Sequence, residues 1–180
     1  MTRVVRWTPQ EFGARRDDVL DVYAEAMDVP PVAARARRPV VEGHVQRAGL
    51  TAVAAVDDDD RLVGIAYGYV GSPGQWWHDQ VRAALRQHYG DDVARDWLHG
   101  AFEVCELHVR PEAQGTGLGR RLLDTLLEGQ PARTAVLTTP DAETRARGFY
   151  RAGGWVDLVR RMRFPGDPRE FAVLGLRLAP

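Results

Sequence analysis

The sequence predicts a mixed α/β layer fold, and two observations carry that prediction. Short runs rich in valine, alanine, leucine and tyrosine, bounded by glycine, proline or acidic clusters, read as strands, while the stretches between them place apolar residues at helical spacing. Their order along the chain is strand, two helices, two strands, an irregular insertion, then strand, helix, strand, helix and two strands, an arrangement that layers helices on a sheet.

The run VVRWT at residues 4–8 is the first strand. From Pro9 to about residue 28 the residues Phe12, Val19, Leu20, Val22, Tyr23 and Met27 recur at helical spacing. Pro30 and Pro31 break the chain, and a second helical stretch follows to about residue 48, with the arginines of ARARRPVV as a solvated helix face. LTAVAAVD and RLVGIAYGYV flank four aspartates, Asp57 to Asp60, which predicts a hairpin. Four adjacent aspartates lack the alternation and final glutamate of a calcium loop, so they read as a solvated turn.

Residues 71–100 read as a helical insertion in which Trp76, Trp77, His78, His88, Tyr89, Trp97 and His99 stand among polar residues. The strand AFEVCELHV at 101–109 leads into glycines at alternate positions, Gly115, Gly117 and Gly119, and then a helix whose Leu118, Leu122, Leu123, Leu126 and Leu127 form one apolar stripe. TAVLTT is a strand closed by Pro140, and DAETRARGFYRAGG is a helix expected to start at Asp141 and end at Gly153 and Gly154. WVDLVRRMRF and FAVLGLRL are the last two strands, paired across PGDP.

At 180 residues the chain fits one domain. A net charge of −1 speaks against a nucleic-acid or membrane-surface partner, because neither meets the positive field it needs. No stretch has the length of an apolar span, and the N-terminus carries no signal-like apolar region, so the expectation is a cytoplasmic protein. Cys105 is the single cysteine, which excludes an internal disulfide and a multi-cysteine zinc site and reads as a small buried residue. The chain has no lysine and no asparagine, its 24 basic side chains are all arginine, and Ser72 is its one serine. A Gly-Lys-Ser/Thr phosphate loop is therefore absent, and a serine triad has a single candidate nucleophile.

The glycine turn raises a question of charge. Arg120 and Arg121 fall in the first turn of a helix, where the backbone already presents partial positive charge and free N–H groups, so the stretch calls for an anion. Alternating glycines ahead of a helix let successive N–H groups converge as they do around a phosphate. A Rossmann site does not fit, because Arg120 stands at the third glycine position and RPEAQ separates the strand from the first glycine. A pyrophosphate is the anion this pattern suits.

The run from Val109 to Leu123, VRPEAQGTGLGRRLL, resembles the acetyl-CoA signature of the GNAT superfamily of N-acetyltransferases, with Gln114, Gly117 and Gly119 filling its pattern. A second family element, a helix ending in tyrosine before a short exit, is matched by Ala146, Phe149, Tyr150, Gly154 and Trp155. The chain departs from the family at Glu143, where an asparagine that contacts the pantetheine arm is common, and in the length of the insertion at 71–100, which lies where the family builds its acceptor site.

The resemblance implies a single GNAT-like domain over 1–180, with a mixed, mostly antiparallel sheet flanked by helices and splayed at the acetyl-CoA site. It implies acetyl-CoA as acetyl donor, no metal, and transfer to a primary amine by direct attack in a ternary complex. A small-molecule amine is the leading acceptor; a protein or peptide acetyltransferase and a non-catalytic acyl-CoA sensor are the alternatives, and a homodimer is left open. Leu107, His108 and Val109 would pair with pantetheine through their backbone, and Gln114, Gly115, Thr116, Gly117, Leu118, Gly119 and Arg120 would hold the pyrophosphate. Tyr150 matches the tyrosine that protonates the departing thiolate, against a core role beside Phe149. For the base the candidates are Glu103, Glu106 and His108: the family position matches Glu103, strand alternation puts Glu106 on the opposite face with His108, and a bulge would promote Glu106 instead. Either glutamate equally fits an ion pair with an arginine, and many members deprotonate through water. Trp76, Trp77 and His78 are candidate acceptor-binding residues, with a local hydrophobic core as the alternative for this aromatic cluster.

Overall fold

Local chemistry sets the first elements. Thr8 accepts the Glu11 N–H at 3.2 Å while the Glu11 carboxylate accepts the Thr8 N–H at 2.7 Å, a reciprocal cap that starts a helix directly after the first strand. The structure, a computed structural model, describes residues 1–179. Contacts group them into two units: Met1–Tyr69 with Val104–Gln130, and Val70–Glu103 with the chain from Pro131 onward.

The first unit contains β1 (Arg3–Trp7), α1 (Pro9–Ala14), α2 (Arg16–Ala26), α3 (Pro31–Arg35), α4 (Arg38–Val45), β2 (Thr51–Val56) and β3 (Leu62–Val70), then the later part of β4 (Phe102–Val109), a 3₁₀ turn (Pro111–Ala113) and α7 (Leu118–Leu127), the two helices between β3 and β4 belonging to the other unit. The two helical stretches expected before β2 are each divided. Arg15 leaves helical geometry at φ −106°, ψ 20°, and its side chain bonds Asp18 and the Asp60 carbonyl. Pro39, with no N–H and a ring that clashes with the preceding turn, forces the second stretch to restart at Arg38. The strand order here is β1-β2-β3-β4, with β1, β2 and β3 antiparallel in turn. Asp57 closes the β2–β3 turn by accepting the N–H groups of Asp59 (3.1 Å) and Arg61 (2.9 Å). Phe12, Leu20, Val22, Ala54, Ile65 and Tyr67 form the core, with Trp7 and Cys105 packed against it.

The second unit holds the insertion, now resolved as α5 (Trp76–Tyr89) and α6 (Asp91–Leu98), the start of β4, then β5 (Thr134–Pro140), α8 (Arg145–Ala152), β6 (Val156–Met162) and β7 (Phe171–Arg177). Its strand order is β4-β5-β7-β6. β4 and β5 are parallel, in register at Phe102↔Ala135 and Glu103↔Val136, and the other pairs are antiparallel. Val81, Leu85, Leu98, Ala101, Val136 and Val173 are at its core. The last helix does not begin at Asp141. Thr144 caps it by accepting the Arg147 N–H at 3.2 Å, and Asp141 is instead a buried partner of Arg147. The sheet is mixed and mostly antiparallel and the helices flank it, as the sequence predicts. Among the described residues no helix is long and apolar enough to cross a membrane.

Candidate functional site

In the glycine turn both Gly115 (φ 78°) and Gly117 (φ 84°) adopt left-handed backbone, which other residues take only under strain. Gly117 is the N-cap of α7 and offers no side chain to its N–H groups. The first intrahelical bond runs from the Arg121 N–H to the Gly117 carbonyl at 3.1 Å, so the N–H groups of Leu118, Gly119 and Arg120 precede the helical ladder. Gln114 ties the turn back to β4 through a 2.9 Å bond to the Val109 carbonyl, and the Thr116 hydroxyl donates to the Ala113 carbonyl at 2.8 Å. A Cβ placed on Gly117 would meet no protein atom within 4 Å. The turn thus presents helix-start N–H groups with open space at Gly117, and its residues fit a diphosphate.

Farther back on β4, Glu106 is the centre of a polar cluster within the first unit. One carboxylate oxygen pairs with the Arg37 guanidinium, and the other lies 2.6 Å from His108 Nε2. The Arg37 guanidinium stacks over the Tyr23 ring at 4.6 Å, and His108 meets the same ring edge-on at 5.2 Å. Burial alone would raise the Glu106 carboxyl, but the His108 bond and the charges of His108, Arg37 and His44 outweigh it and hold it below the usual carboxylate range. Glu106 is therefore ionised at neutral pH and accepts, while His108 Nε2–H donates. Behind it, burial pushes the Tyr67 phenol well above its ordinary range, and the Glu106 charge adds to this. Burial likewise lowers His44, with the Arg47 and Arg37 charges adding to it and the Glu106 charge opposing. His44 Nδ1 and the Tyr67 hydroxyl share a hydrogen bond at 3.3 Å.

The second unit carries the other candidates. Glu103 is buried and its Oε1 lies 2.9 Å from Nδ1 of His78, also buried. Gly71 makes this possible, since a Cβ there would fall 1.9 Å from the same oxygen. The Trp77 indole donates to Thr138 at 3.2 Å, and Trp77 and Trp97 pack against the local apolar core. Trp76 is 57% exposed beside Phe164. Tyr150 is buried on α8 between Phe149, at 5.1 Å, and Trp155, at 5.6 Å. That helix is anchored by Arg147, wholly buried, which bonds Asp141 at 3.0 Å and Asp157 at 2.8 Å; the exposed Glu143 adds contacts to Arg147 and Arg151. Among the described residues, no group of three or more His, Cys, Asp or Glu is placed to hold a metal ion.

Residues 49–157 match the family described as the acetyltransferase (GNAT) domain. A GCN5-like protein acetyltransferase of Mycobacterium tuberculosis is 36% identical over 94% of this chain and 95% of its own. The chain belongs to the GNAT acetyltransferase family. Solved structures agree on the fold: the ribosomal-protein-S18-alanine N-acetyltransferase of Escherichia coli superposes with a TM-score of 0.67 at 12% identity, over 100% of this chain and 96% of that one. A GNAT-family acetyltransferase of Staphylococcus aureus gives 0.66 at 12% identity, over 99% and 100%. For this GNAT chain the general activity is acetyl-CoA-dependent acetyl transfer.

Sequence reasoning found both glutamates, the glycine turn and Tyr150 but missed Arg37, Tyr23, His44 and Tyr67 of the GNAT chain's β4 cluster. The arginines of residues 34–41 are not a solvated face: Arg35 pairs with Asp21, Arg38 with Asp17 and Arg37 with Glu106. Nothing local in the sequence joins Arg37 to a residue 69 positions away. His108 was among the base candidates read from the sequence, and alternation put it on the face of Glu106.

Proposed function

We propose that the chain transfers the acetyl group of acetyl-CoA to a primary amine carried by a protein. The observation that carries this reading is the full-length relative at 36% identity whose name is that of a protein acetyltransferase. The aromatic insertion had favoured a small-molecule amine, but Trp77 and His78 are engaged inside the second unit, by Thr138 and Glu103. That leaves less of the insertion for a capped pocket.

Acetyl-CoA supplies an acetyl group already activated as a thioester, so no nucleophile of the protein is needed. The chain's own residues do the rest. The N–H groups from Gly115 to Arg120 bind the diphosphate, with Arg120 and Arg121 tolerated at the helix start because the ligand is the missing anion. The backbone of Leu107, His108 and Val109 aligns the pantetheine arm. The Tyr150 hydroxyl gives a proton to the sulfur, and the amine loses its proton near the β4 glutamates. Of these, Glu106 is the more accessible, with a side chain 17% exposed against 4% for Glu103.

The test follows released thiol with acetyl-CoA and two acceptors, poly-L-lysine and ethanolamine, for wild type and Tyr150→Phe. Transfer to poly-L-lysine is expected, with turnover in Tyr150→Phe down about 10²–10⁴-fold and coenzyme A affinity within about threefold by calorimetry. Transfer to ethanolamine in preference would move the acceptor to small molecules. Binding of coenzyme A with no transfer to either would make the chain a sensor.

A further inference from the structure

Both oxygens of Glu106 already accept a bond from a cationic or N–H donor. Arg37 occupies Oε1 and His108 occupies Oε2, and their charges keep the carboxylate ionised. A group held in that way is a poor acceptor for a further proton but a good counterion. The neighbouring imidazole is in the opposite position: Nε2 carries the hydrogen given to Glu106, so neutral His108 keeps its lone pair on Nδ1. We propose that His108 Nδ1 takes the proton from the acceptor amine, with Glu106 and Arg37 as the residues that position and charge-balance it.

This rests on the amine-transfer reading above. In the step, the lone pair of the amine nitrogen forms the new C–N bond, the C–S bond breaks with its pair on the sulfur that takes the Tyr150 proton, and one N–H bond breaks with its electron pair staying on nitrogen. The proton moves to Nδ1, and the imidazolium that results lies 2.6 Å from a carboxylate before releasing the proton to water. Three features favour this over a merely structural pair. His108 and Glu106 are 11% and 17% exposed, so the pair is not sealed from solvent, whereas His78 and Glu103 are 3% and 4% exposed. The ring is fixed on two sides, by the Glu106 bond and by the edge contact with Tyr23. Finally, Tyr23 is itself covered by Arg37, so α2, the α3–α4 turn and β4 together set one imidazole orientation. The titratable groups around the dyad are Tyr23 from α2, Arg37 before α4, His44 on α4, Tyr67 on β3 and Cys105 on β4.

The experiment is the pH profile of kcat/KM for poly-L-lysine acetylation at saturating acetyl-CoA. Because the base must be neutral, the rate is expected to rise with pH along an acidic limb. His108→Gln can still donate to Glu106 but cannot accept the proton, and is expected to lose about 10²–10⁴ in rate. Glu106→Gln removes the counterion and should move the acidic limb to lower pH, while Arg37→Met removes an opposing positive charge and should move it to higher pH, each by on the order of one unit. Nitrogen chemical shifts of the wild-type imidazole should report the Nε2–H tautomer. Rates of His108→Gln within threefold of wild type, limbs that stay put or move together, or an Nδ1–H tautomer would each overturn the proposal while leaving acetyl transfer intact. A wild type inert toward poly-L-lysine would overturn the protein-acceptor reading and this inference with it.

Discussion

β4 carries two glutamate–histidine pairs three residues apart, and they are built to opposite ends. Glu103 reaches His78, 25 residues away on α5, and the two are sealed in the second unit against Gly71, whose missing side chain is what admits the carboxylate. Glu106 pairs with His108 on its own strand, and a third residue, Arg37, closes the other oxygen. The first pair spans elements and is dry, so its removal strands a buried polar group. The second is local, partly open and charge-balanced, so its removal alters protonation more than folding. Proximity of a glutamate to a histidine therefore says little by itself. Burial separates the two pairs, with side chains 3% and 4% exposed in the first and 11% and 17% in the second.

The sharpest way to break this contrast is Gly71→Ala. The new Cβ must displace the Glu103 carboxylate, combining overpacking with loss of a buried hydrogen bond, and the expected cost is about 3 kcal/mol or more in a denaturant melt. A cost under about 1 kcal/mol would show that the sealed pair is not structural. Next in size is Glu106→Gln, which keeps the volume and a donor–acceptor side chain. Its stability loss should be about 2 kcal/mol, within the range of hydrogen bonds to a charged group. A loss as large as that of Gly71→Ala would erase the distinction between the pairs.

The smallest effect is a dependence of stability on pH. His44 is depressed below its ordinary 6.5, so the unfolded chain takes the proton first; the stabilisation is full above about pH 6.5 and is lost as pH falls from there toward the folded value. Glu106 is depressed below 4.5, so its stabilisation is present above that pH and is lost as pH falls through its folded value. Melting temperature should therefore fall in two stages on acidification. His44→Gln should remove the upper stage alone, and an unchanged upper stage in that variant would place it in another group.

How much of this was legible in the sequence follows from the range of the forces involved. Alternation and helical spacing are local, and they placed the strands, the insertion and the apolar stripe of α7. The glycine turn was legible because positive φ restricts the residue type at Gly115 and Gly117. Helix ends were read less well: Asp141 looked like a cap, but its carboxylate is taken by buried Arg147, and the cap falls to Thr144. The breaks at Arg15 and before Arg38 depend on a distant contact to Asp60 and on where Pro39 falls within its turn. Arg37 could not be paired with Glu106 from sequence at all, since nothing in either neighbourhood specifies the other.

The arginine-only basic side chains have a chemical consequence. Arg147 on α8 and Arg37 against Glu106 are guanidinium cations, whereas a lysine ammonium that loses its proton becomes a nucleophile toward a thioester. Guanidinium stays protonated throughout the physiological range and does not offer that electron pair. The chain can therefore keep its internal ion pairs charged in the presence of a reactive acyl donor. With no lysine in the sequence, its side chains present no target for acetylation by its own reaction.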